Sequence, residues 1–355
     1  MTRLFLAGDV NLMGVTDPGS PFRCVRDQFQ SADVAFLNLE CSLHLPTGHS
    51  VENEGFFVDP DVGAAVLTGV NVAAVGLANN VTYGETPIAA TLARLDAAGI
   101  AHTGAGVDRG AARAPAIVER DGVKFGFLQR TSVYWPTNHE AAKSAAGVAV
   151  IRGHTAYRVR AHKERPEIPP MNRPGIPPEV ITWADPKYLD DFRKDVAALR
   201  AQVDVLVVSC HWGLWKDVLG YMTEIAHAAI DAGADIVIGH GPHFFLPVEV
   251  YRGKPILYGL GSFSFHTGHG GRKHGDWVGL MANVRFDEHR QIADARLRFV
   301  RHNDDNETVP CLLADETHSL DELIRTSSAR GAQLVRDEDE ICIDLANSPG
   351  NEDAE

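Results

Sequence analysis

The sequence lacks the features that mark secreted and membrane-spanning proteins. Its five cysteines are odd in number and form no CxxC pair, which argues against a disulfide framework and against a thiolate zinc site. No apolar run approaches the roughly 20 residues that a helix needs to cross a bilayer, and the first run, at residues 4–7, leads into a polar motif instead of a cleavage site. We therefore predict a cytoplasmic protein with reduced cysteines and no membrane partner.

Basic residues are also few. The 47 acidic residues outnumber the 33 basic ones and give a net charge of -14, so most of the surface repels a phosphate backbone and we predict no nucleic-acid partner. In other respects the composition, with 45% hydrophobic residues in a chain of 355, is that of an ordinary globular protein. We expect a small-molecule or peptide substrate, and the sequence leaves the oligomeric state open.

Short apolar runs alternate with amphipathic segments along the chain. Because each run is apolar at consecutive positions, the pattern predicts strands buried on both faces, and the alternation with helices predicts an α/β fold. The predicted strands are residues 4–7, 34–37, 72–77, 205–208 and 236–238, and the predicted helices are residues 87–98 (with Thr86 as N-cap and Gly99 just past the end), 187–201 and 219–232. Turns at Asp121–Gly122 and Arg252–Gly253 predict two hairpins, so antiparallel strands should be mixed into the sheets.

Two segments depart from this rhythm. Residues 135–185 are rich in proline and have no clear apolar period apart from residues 147–151, so they predict a long insertion that covers an active site. After about residue 303 the chain becomes acidic. We therefore expect one domain over residues 1–310, which includes the insertion, and an acidic C-terminal extension over residues 311–355.

Each predicted buried strand ends in polar residues of the kinds that bind metal ions. These ends are Gly8-Asp9-Val10-Asn11, Asn38-Leu39-Glu40, Asn79-Asn80, His211-Trp212-Gly213 and Gly239-His240-Gly241-Pro242-His243. In open α/β sheets ligands bind beyond the carboxyl ends of the strands, so neighbouring parallel strands would bring these residues to one crevice. The sequence predicts a metal centre with six ligands, namely Asp9, Glu40, Asn80, His211, His240 and His243.

Two carboxylates, an amide and three imidazoles suit borderline divalent ions. We expect one or two divalent ions, Mn, Zn, Fe or Ca, and two ions roughly 3.5–4 Å apart would clamp the attacking and leaving oxygens of a displacement. Gly8, Gly213, Gly239 and Gly241 are predicted to turn the backbone where a Cβ would clash. For single residues other interpretations stay open: Asp9 as a helix cap, Glu40 and Asn80 as hydrogen-bonded loop residues, and His211 as a core histidine.

Further residues are candidates for catalysis and substrate binding. His211, His243 and His269 are the candidate acids, and the loop that holds His269 also carries His266 and His274. The candidate substrate contacts are Asn11, Arg130, Trp135 and Trp212. Arg130 would attract an anionic group, although a solvated surface arginine is the alternative. His227, on an apolar helix face, is predicted to be a packed histidine.

The motifs at the strand ends resemble the CapA-type proteins (poly-γ-glutamate capsule biosynthesis), a branch of the calcineurin-like metallophosphoesterase superfamily. The matches are GDVNLMG at residues 8–14, NLE at 38–40, LANN at 77–80, HWG at 211–213 and GADIVIGHGPHFFLPVEVYRGKPILYGLGSF at 233–263, in family order over roughly residues 3–300. The resemblance implies a four-layer αββα sandwich of two mixed sheets with a metal centre along one edge, and it makes residues 1–310 a CapA-like metallophosphoesterase-type domain.

The sequence departs from the family pattern at three places. Val81 follows Asn80 where the family has a His that protonates the leaving group, Gly241 replaces the middle His of GHHPH, and Ser262 replaces Asn in SLGNF. The first departure removes the expected acid for phosphoester hydrolysis. The second and third departures together favour one ion over two.

Three functions are compatible with these residues. The first is a metal-dependent hydrolase of a phosphoester or an amide bond, in which the ion lowers the pKa of water from 15.7 towards about 7. The second is a metal-dependent peptide epimerase, in which His and carboxylate groups move a proton beside a carbonyl, and which has no leaving group to protonate. The third is a non-catalytic binding module that keeps the metal.

Overall fold

The computed structural model describes residues 1–46, 55–159, 175, 177–265, 267–268 and 274–347. In chain order the strands are β1 (Thr2–Asn11), β2 (Val34–Leu39), β3 (Ser42–Leu43), β4 (Phe57–Val58), β5 (Ala74–Gly76), β6 (Ala101–Thr103), β7 (Ala105–Gly106), β8 (Ala116–Arg120), β9 (Val123–Thr131), β10 (Gly147–Val148), β11 (Gly153–Arg158), β12 (Glu179–Ala184), β13 (Val205–His211), β14 (Ile236–His240), β15 (Val248–Tyr251), β16 (Lys254–Leu257), β17 (Ser262–Phe265), β18 (Gly279–Phe286), β19 (Ile292–His302), β20 (Thr308–Pro310), β21 (Gln333–Asp337) and β22 (Glu340–Asp344). The helices are α1 (Arg26–Gln30), α2 (Pro60–Gly69), α3 (Glu85–Ala97), α4 (Arg109–Arg113), α5 (Pro186–Arg200), α6 (Gly220–Asp231) and α7 (Thr317–Ser328).

Two large mixed sheets organise the fold. The ten-stranded sheet has the order β21-β22-β19-β18-β1-β2-β5-β6, with β17 beside β1 and β20 beside β19. The six-stranded sheet has the order β15-β16-β14-β13-β9-β8. Strand β1 is parallel to β2 and β17, and β13 is parallel to β9 and β14. The carboxyl ends of these strands therefore carry the polar motifs at one edge of each sheet.

The predicted secondary structure is largely confirmed. All five apolar runs form strands, both predicted hairpins form the antiparallel pairs β8–β9 and β15–β16, and the three predicted helices are α3, α5 and α6. Gly99 has a positive φ of 69°, as expected just past a helix end. The predicted N-cap of α3 was wrong, because the helix begins at Glu85 and its N-cap is Gly84, which has a φ of 92°.

One apolar cluster contains side chains from both large sheets. Leu4, Leu6 and Phe36 come from the ten-stranded sheet, while Phe125 and Phe127 come from the six-stranded sheet. The rings of Phe36 and Phe127 stack with centroids 4.7 Å apart and planes 4° apart. Because successive strand residues point to opposite faces, the members that β1, β2, β9 and β13 contribute to this cluster lie two residues apart along each strand.

The opposite faces of the sheets pack against helices. Phe5 and Ala7 of β1 share a cluster with Phe29 of α1 and with residues of α2 and α3. Leu206 and Val208 of β13 share another with residues of α5 and α6. The packing confirms a mixed α/β fold, and none of the described helices is both long and apolar enough to cross a membrane.

Residues 135–185 and the C-terminal region, whose sequences showed no clear pattern, contain strands that pair with other parts of the fold. Within residues 135–185, β10 pairs with β7, and β11 pairs with β12 in a two-stranded hairpin. In the C-terminal region, β22 pairs with β19 and extends the ten-stranded sheet, and the side chains of Leu320, Leu323 and Ile341 join the cluster between the sheets. The sequence patterns did not indicate α7 or the β21–β22 hairpin.

Candidate metal centre

The two candidate carboxylates come from neighbouring parallel strands. Asp9 of β1 lies opposite Asn38 of β2, and the register of the pair is irregular between Leu6 and Asp9. Glu40 follows β2, and its backbone N–H donates to the Val10 carbonyl at 2.8 Å. Both carboxylates are at most 1% exposed. The strand ends thus bring two buried acids together, as the sequence predicted.

The imidazoles come from the six-stranded sheet. His211 and His240 are paired residues of the parallel strands β13 and β14. His243 follows in a turn where it has a φ of 64°, a value that is strained for a residue with a Cβ. Gly241 has a φ of 115°, and a Cβ there would lie 2.9 Å from Cδ2 of the His211 ring. The turn therefore has no room for the second His of the family motif at position 241.

The donor atoms of these residues are close together. His240 Nδ1 lies 3.1 Å from Asp9 Oδ1, and His243 Nδ1 lies 3.2 Å from Asp9 Oδ2 and 3.9 Å from Glu40 Oε2. His211 Nε2 lies 4.0 Å from Glu40 Oε1. Atoms that share an ion at about 2.1 Å are themselves about 3.4 Å apart in a tetrahedral site. The spacing fits ligands of a common ion, and Asp9, Glu40 and His243 form a group that could hold one.

Several polar atoms of this cluster have no hydrogen-bond partner in the part of the chain that the structure describes. They are Glu40 Oε2, His211 Nδ1, both ring nitrogens of His240 and His243 Nδ1, all of them buried. The Asp9 contacts of His240 and His243 are close but lack hydrogen-bond geometry. Leaving a buried polar group without a partner costs about 1–3 kcal/mol, so one carboxylate and three imidazoles with such atoms, side by side, point to a missing partner. Each imidazole can direct only one of its ring nitrogens at an ion. The donor set therefore fits a divalent ion.

The charges of the cluster are strongly perturbed. Burial alone would raise the pKa of Asp9, but His240 and His243 outweigh it and hold this pKa well below its ordinary value. Burial raises the pKa of Glu40 with support from the Asp9 charge and against the attraction of His243. Burial lowers the pKa of His211 to about 3, so its ring is neutral at pH 7. A neutral buried imidazole is the form that binds a metal ion.

Asn80 lies in a turn that Trp135 and His139 hold in place. The Trp135 indole N–H donates to the Asn80 carbonyl at 2.9 Å, and the Trp135 backbone N–H donates to His139 Nδ1 at 2.9 Å. The neighbouring Asn79 accepts from Val81 N and Thr82 N, so its amide supports the turn. Asn80 as a ligand and Trp135, which is 42% exposed, as a substrate contact remain predictions.

Three predicted substrate contacts have other partners, which corrects those predictions. The Asn11 side chain is fully buried, donates to the Thr267 carbonyl and accepts from Met13 N. Arg130 is 2% exposed and pairs with Asp195 at 2.5 Å on the α5 side of the sheet. Trp212 is fully buried, and its indole N–H donates to the Tyr258 carbonyl. None of the three offers a free surface to a substrate.

The remaining candidate acid, His269, lies outside the described residues. Within them, His274 from the same histidine-rich loop has its ring centroid 5.8 Å from that of His243, and both rings contact Phe265 at 4.6 Å. Ser262, the β17 partner of Asp9, has a buried Oγ without a partner. His274 was visible in the sequence as part of a histidine-rich loop, whereas Ser262 showed only as a departure from the family motif.

Fold and site together define a mixed α/β protein with a cluster of carboxylates and imidazoles at strand ends. The family described as "Bacterial capsule synthesis protein PGA_cap" matches residues 3–267, and the chain belongs to this family. CapA, which is a member of the calcineurin-like superfamily, is among its named relatives. The family resemblance inferred from the strand-end motifs is therefore confirmed.

Relatives differ in how much of their length the chain covers. The "Probable polyglutamine synthesis accessory protein" of Mycobacterium tuberculosis (strain ATCC 25618 / H37Rv) is 32% identical over 241 residues, which are 65% of this chain and 55% of that protein. The "PGA biosynthesis protein CapA" of Bacillus subtilis (strain 168) is 39% identical over 99 residues, which are 27% of this chain and 24% of that protein. The chain thus spans about half the length of the first relative and about a quarter of the second.

A solved structure of a hypothetical protein from Thermus thermophilus has a TM-score of 0.48 and 14% sequence identity. The similarity covers 85% of this chain and 100% of that chain. A similarity of this size carries no argument about function.

Proposed function

We propose that this protein is a metal-dependent hydrolase of a phosphoester or amide bond. The observation that carries the proposal is the group of one carboxylate and three imidazoles, Glu40, His211, His240 and His243, whose buried polar atoms have no partner among the described residues where the two sheets meet. Structural polar clusters in protein interiors are normally hydrogen-bonded throughout, so this one is built for a ligand. We also propose the four-layer sandwich, which the cluster shared by the two sheets and the helix-packed outer faces support.

In this proposal Asp9, Glu40, His240 and His243 hold the ion, with His211 and Asn80 completing the donor set. When bound, a divalent ion supplies Lewis-acid chemistry, which polarises the target oxygen and lowers the pKa of water. His211 is neutral and fully buried, so it contributes a lone pair and no charge. The fixed carboxylate of Asp9 and the strained turn of His243 keep the donors in place without rearrangement.

The names of the relatives support a substrate class. They refer to polyglutamine synthesis and to PGA biosynthesis, and polymers of glutamate and glutamine residues contain amide bonds. The absence of an imidazole after Asn80 removes one leaving-group acid from phosphoester and amide hydrolysis alike, so the preference for an amide bond rests on the names of the relatives. Val81 is 2% exposed and packs in the apolar cluster around β1 and β2, so no acid reaches the centre from that position.

The same observation favours one second candidate, a metal-dependent peptide epimerase. Epimerisation moves a proton at a carbon beside a carbonyl and releases no leaving group, so it needs no acid at position 81. His274, whose ring centroid lies 5.8 Å from that of His243, is the described imidazole that would move this proton.

Metal binding and turnover are tested together. Isothermal titration of the metal-free protein with Mn²⁺ and with Zn²⁺ should give one or two sites per chain. The loaded protein is then incubated with p-nitrophenyl phosphate, bis-p-nitrophenyl phosphate and γ-glutamyl oligopeptides, and the products are analysed by mass and by chirality. Hydrolysis supports the proposal, D/L exchange at constant mass supports the epimerase, and binding without turnover supports a non-catalytic module. Absence of metal binding would overturn all three.

A further inference from the structure

A chain of buried amides connects the six-stranded sheet to the candidate metal centre. Gln129 of β9 donates from Nε2 to Asn38 Oδ1 at 2.9 Å, and Asn38 donates from Nδ2 to Asp9 Oδ1 at 2.8 Å. The side chains of Gln129, Asn38 and Asp9 are all fully buried. This hydrogen-bonded chain of Gln129, Asn38 and Asp9, called the relay below, therefore crosses from one sheet to the other without contact with solvent.

The orientation of the Gln129 amide is set by the backbone. The N–H of Ala78 lies 2.6 Å from Gln129 Oε1, and because a backbone N–H only donates, the atom that faces it must be the oxygen. Nε2 must then face Asn38, where it donates, and it also lies 3.2 Å from Ser209 Oγ. A single peptide group thus fixes which end of the Gln129 amide faces the metal centre.

A second donor, from Asn79, fixes the Asn38 amide in the same orientation. Asn79 accepts from the backbone N–H groups of Val81 and Thr82, so its Nδ2 must point away from them. That Nδ2 donates to the Leu39 carbonyl at 2.9 Å and lies 3.4 Å from Asn38 Oδ1. Two donors therefore face Asn38 Oδ1, and the Asn38 amide can present only its N–H to Asp9.

The fold makes room for Gln129 with two glycines. A Cβ on Gly76, at the end of β5, would overlap the Gln129 amide. A Cβ on Gly104, which has a φ of 96°, would lie 2.9 Å from Gln129 Oε1 and 2.6 Å from Ala78 N. Side chains at these positions would push Gln129 out of the relay, so the backbone of the ten-stranded sheet is shaped around this one amide.

We propose that Gln129 is a positioning residue for the candidate metal centre. Through Asn38 it fixes the Asp9 carboxylate with a donor on Oδ1, and through Ala78 it fixes the turn that carries Asn80. Groups behind the ligands of a metal commonly change metal affinity by 10- to 100-fold when they are removed. This inference rests on the proposed function, because it requires that Asp9 bind an ion.

The test measures Mn²⁺ affinity by isothermal titration at pH 7.5 in wild type, Gln129→Met and Gln129→Asn. Met has a similar length without donor or acceptor, and Asn keeps an amide that is too short to reach both Ala78 and Asn38. Each should weaken Mn²⁺ binding on the order of tenfold. Ser209→Ala is the matched control, because it removes another buried contact of the same Nε2 and should change affinity less than twofold. Unfolding in EDTA measures the stability of each protein separately.

A double-mutant cycle separates positioning from a general structural effect. If Gln129 acts on Asp9 through Asn38, Gln129→Met should add little to the loss of Mn²⁺ affinity that Asn38→Ala causes alone. Additive losses, or wild-type affinity in both folded Gln129 variants, would overturn the inference. If Gln129→Met does not fold, Gln129→Asn takes its place in the cycle. A wild type that binds no Mn²⁺ would instead overturn the proposed function, and the inference with it.

Discussion

Two clusters of histidine and carboxylate in this protein, one almost wholly buried and one partly buried, differ in how their polar atoms are partnered. In the first, around Asp9, five buried polar atoms on four side chains have no partner within the described ranges. In the second, which consists of His227, Glu249, Tyr258 and Arg330, His227 Nε2 lies 2.6 Å from one Glu249 oxygen, and Tyr258 donates to the other at 2.7 Å. Arg330 Nη1 adds a contact of 3.6 Å. The polar atoms of the second cluster are partnered by the protein itself, whereas those of the first lack partners among the described residues, as we would expect of a metal site.

Glu249 of the second cluster and Glu40 of the first differ in the direction in which their pKa is shifted. Burial would raise the pKa of Glu249, but hydrogen bonds from His227 and Tyr258 outweigh it and lower this pKa. Burial raises the pKa of Glu40, which accepts no comparable bonds at Oε2. The same residue types are thus joined by hydrogen bonds at one site and, at the other, form a group that could hold a metal ion.

The largest effect is expected from substitutions that remove candidate ligands from the first cluster. Asp9→Ala and His240→Ala should each lower activity by a hundredfold or more and remove measurable Mn²⁺ binding, because an ion displaced by about 1 Å loses its working geometry. The cost in stability should be modest, about 1–3 kcal/mol for Asp9→Ala, which leaves Asn38 Nδ2 without its acceptor. Titration calorimetry and urea unfolding in EDTA measure the two effects. Retained Mn²⁺ affinity in both variants would contradict the ligand assignment.

The second expected effect concerns the turn beside the first cluster. His139 Nδ1 accepts from Trp135 N, and Nε2 lies 3.0 Å from the Thr82 carbonyl, so the ring must be neutral with its proton on Nε2. Burial lowers the pKa of His139 from 6.5 to about 4. Above pH 6.5 neither the folded nor the unfolded chain protonates His139. Between pH 6.5 and about 4 the unfolded chain takes up a proton first, so the free energy of unfolding falls as the pH falls.

The resulting loss should be at most about 3 kcal/mol over that interval. His139→Gln keeps an acceptor and a donor but does not titrate, so the difference in stability between wild type and variant should shrink as the pH falls from 6.5 to 4. Urea unfolding in EDTA at several pH values measures it. A difference that stays constant with pH would show that His139 is not held neutral.

The third effect is expected from a substitution that removes a hydrogen bond from the second cluster. His227→Ala removes a partner of the partly buried Glu249 carboxylate and the ring that stacks on Tyr251 at 3.8 Å. We expect a loss of about 1–3 kcal/mol in the free energy of unfolding, because the carboxylate loses a hydrogen bond. Mn²⁺ affinity should stay within twofold of wild type. The variant is therefore the structural counterpart of His240→Ala, and a large loss of metal binding would remove the distinction between the clusters.

Sequence patterns predicted the first cluster because its residues follow buried strands directly, and parallel strands bring their ends together. The errors have a simple cause. Successive strand residues point to opposite faces, so Trp212 had to turn away from the side that His211 faces, and Arg130, paired with Cys210 in the sheet, faces α5. The proposed role of Gln129 could not be predicted from the sequence. It depends on which atom of the Gln129 amide faces Ala78, and Ala78 follows a strand of the other large sheet. The same holds for the C-terminal hairpin, which no motif marks.

The smallest expected effect tests the chemistry at position 81. The Val81 side chain packs in the apolar cluster around β1 and β2, and its backbone N–H donates to Asn79 Oδ1 at 3.2 Å. An imidazole in Val81→His would therefore be directed into the core, and we expect phosphatase turnover with p-nitrophenyl phosphate to stay within twofold of wild type. Val81→Leu controls for the added volume. A rise of tenfold or more in Val81→His alone would show that the turn can present the imidazole to the centre. It would also mean that the protein is a phosphoesterase that lacks its acid, and the preference for amide chemistry would then fail.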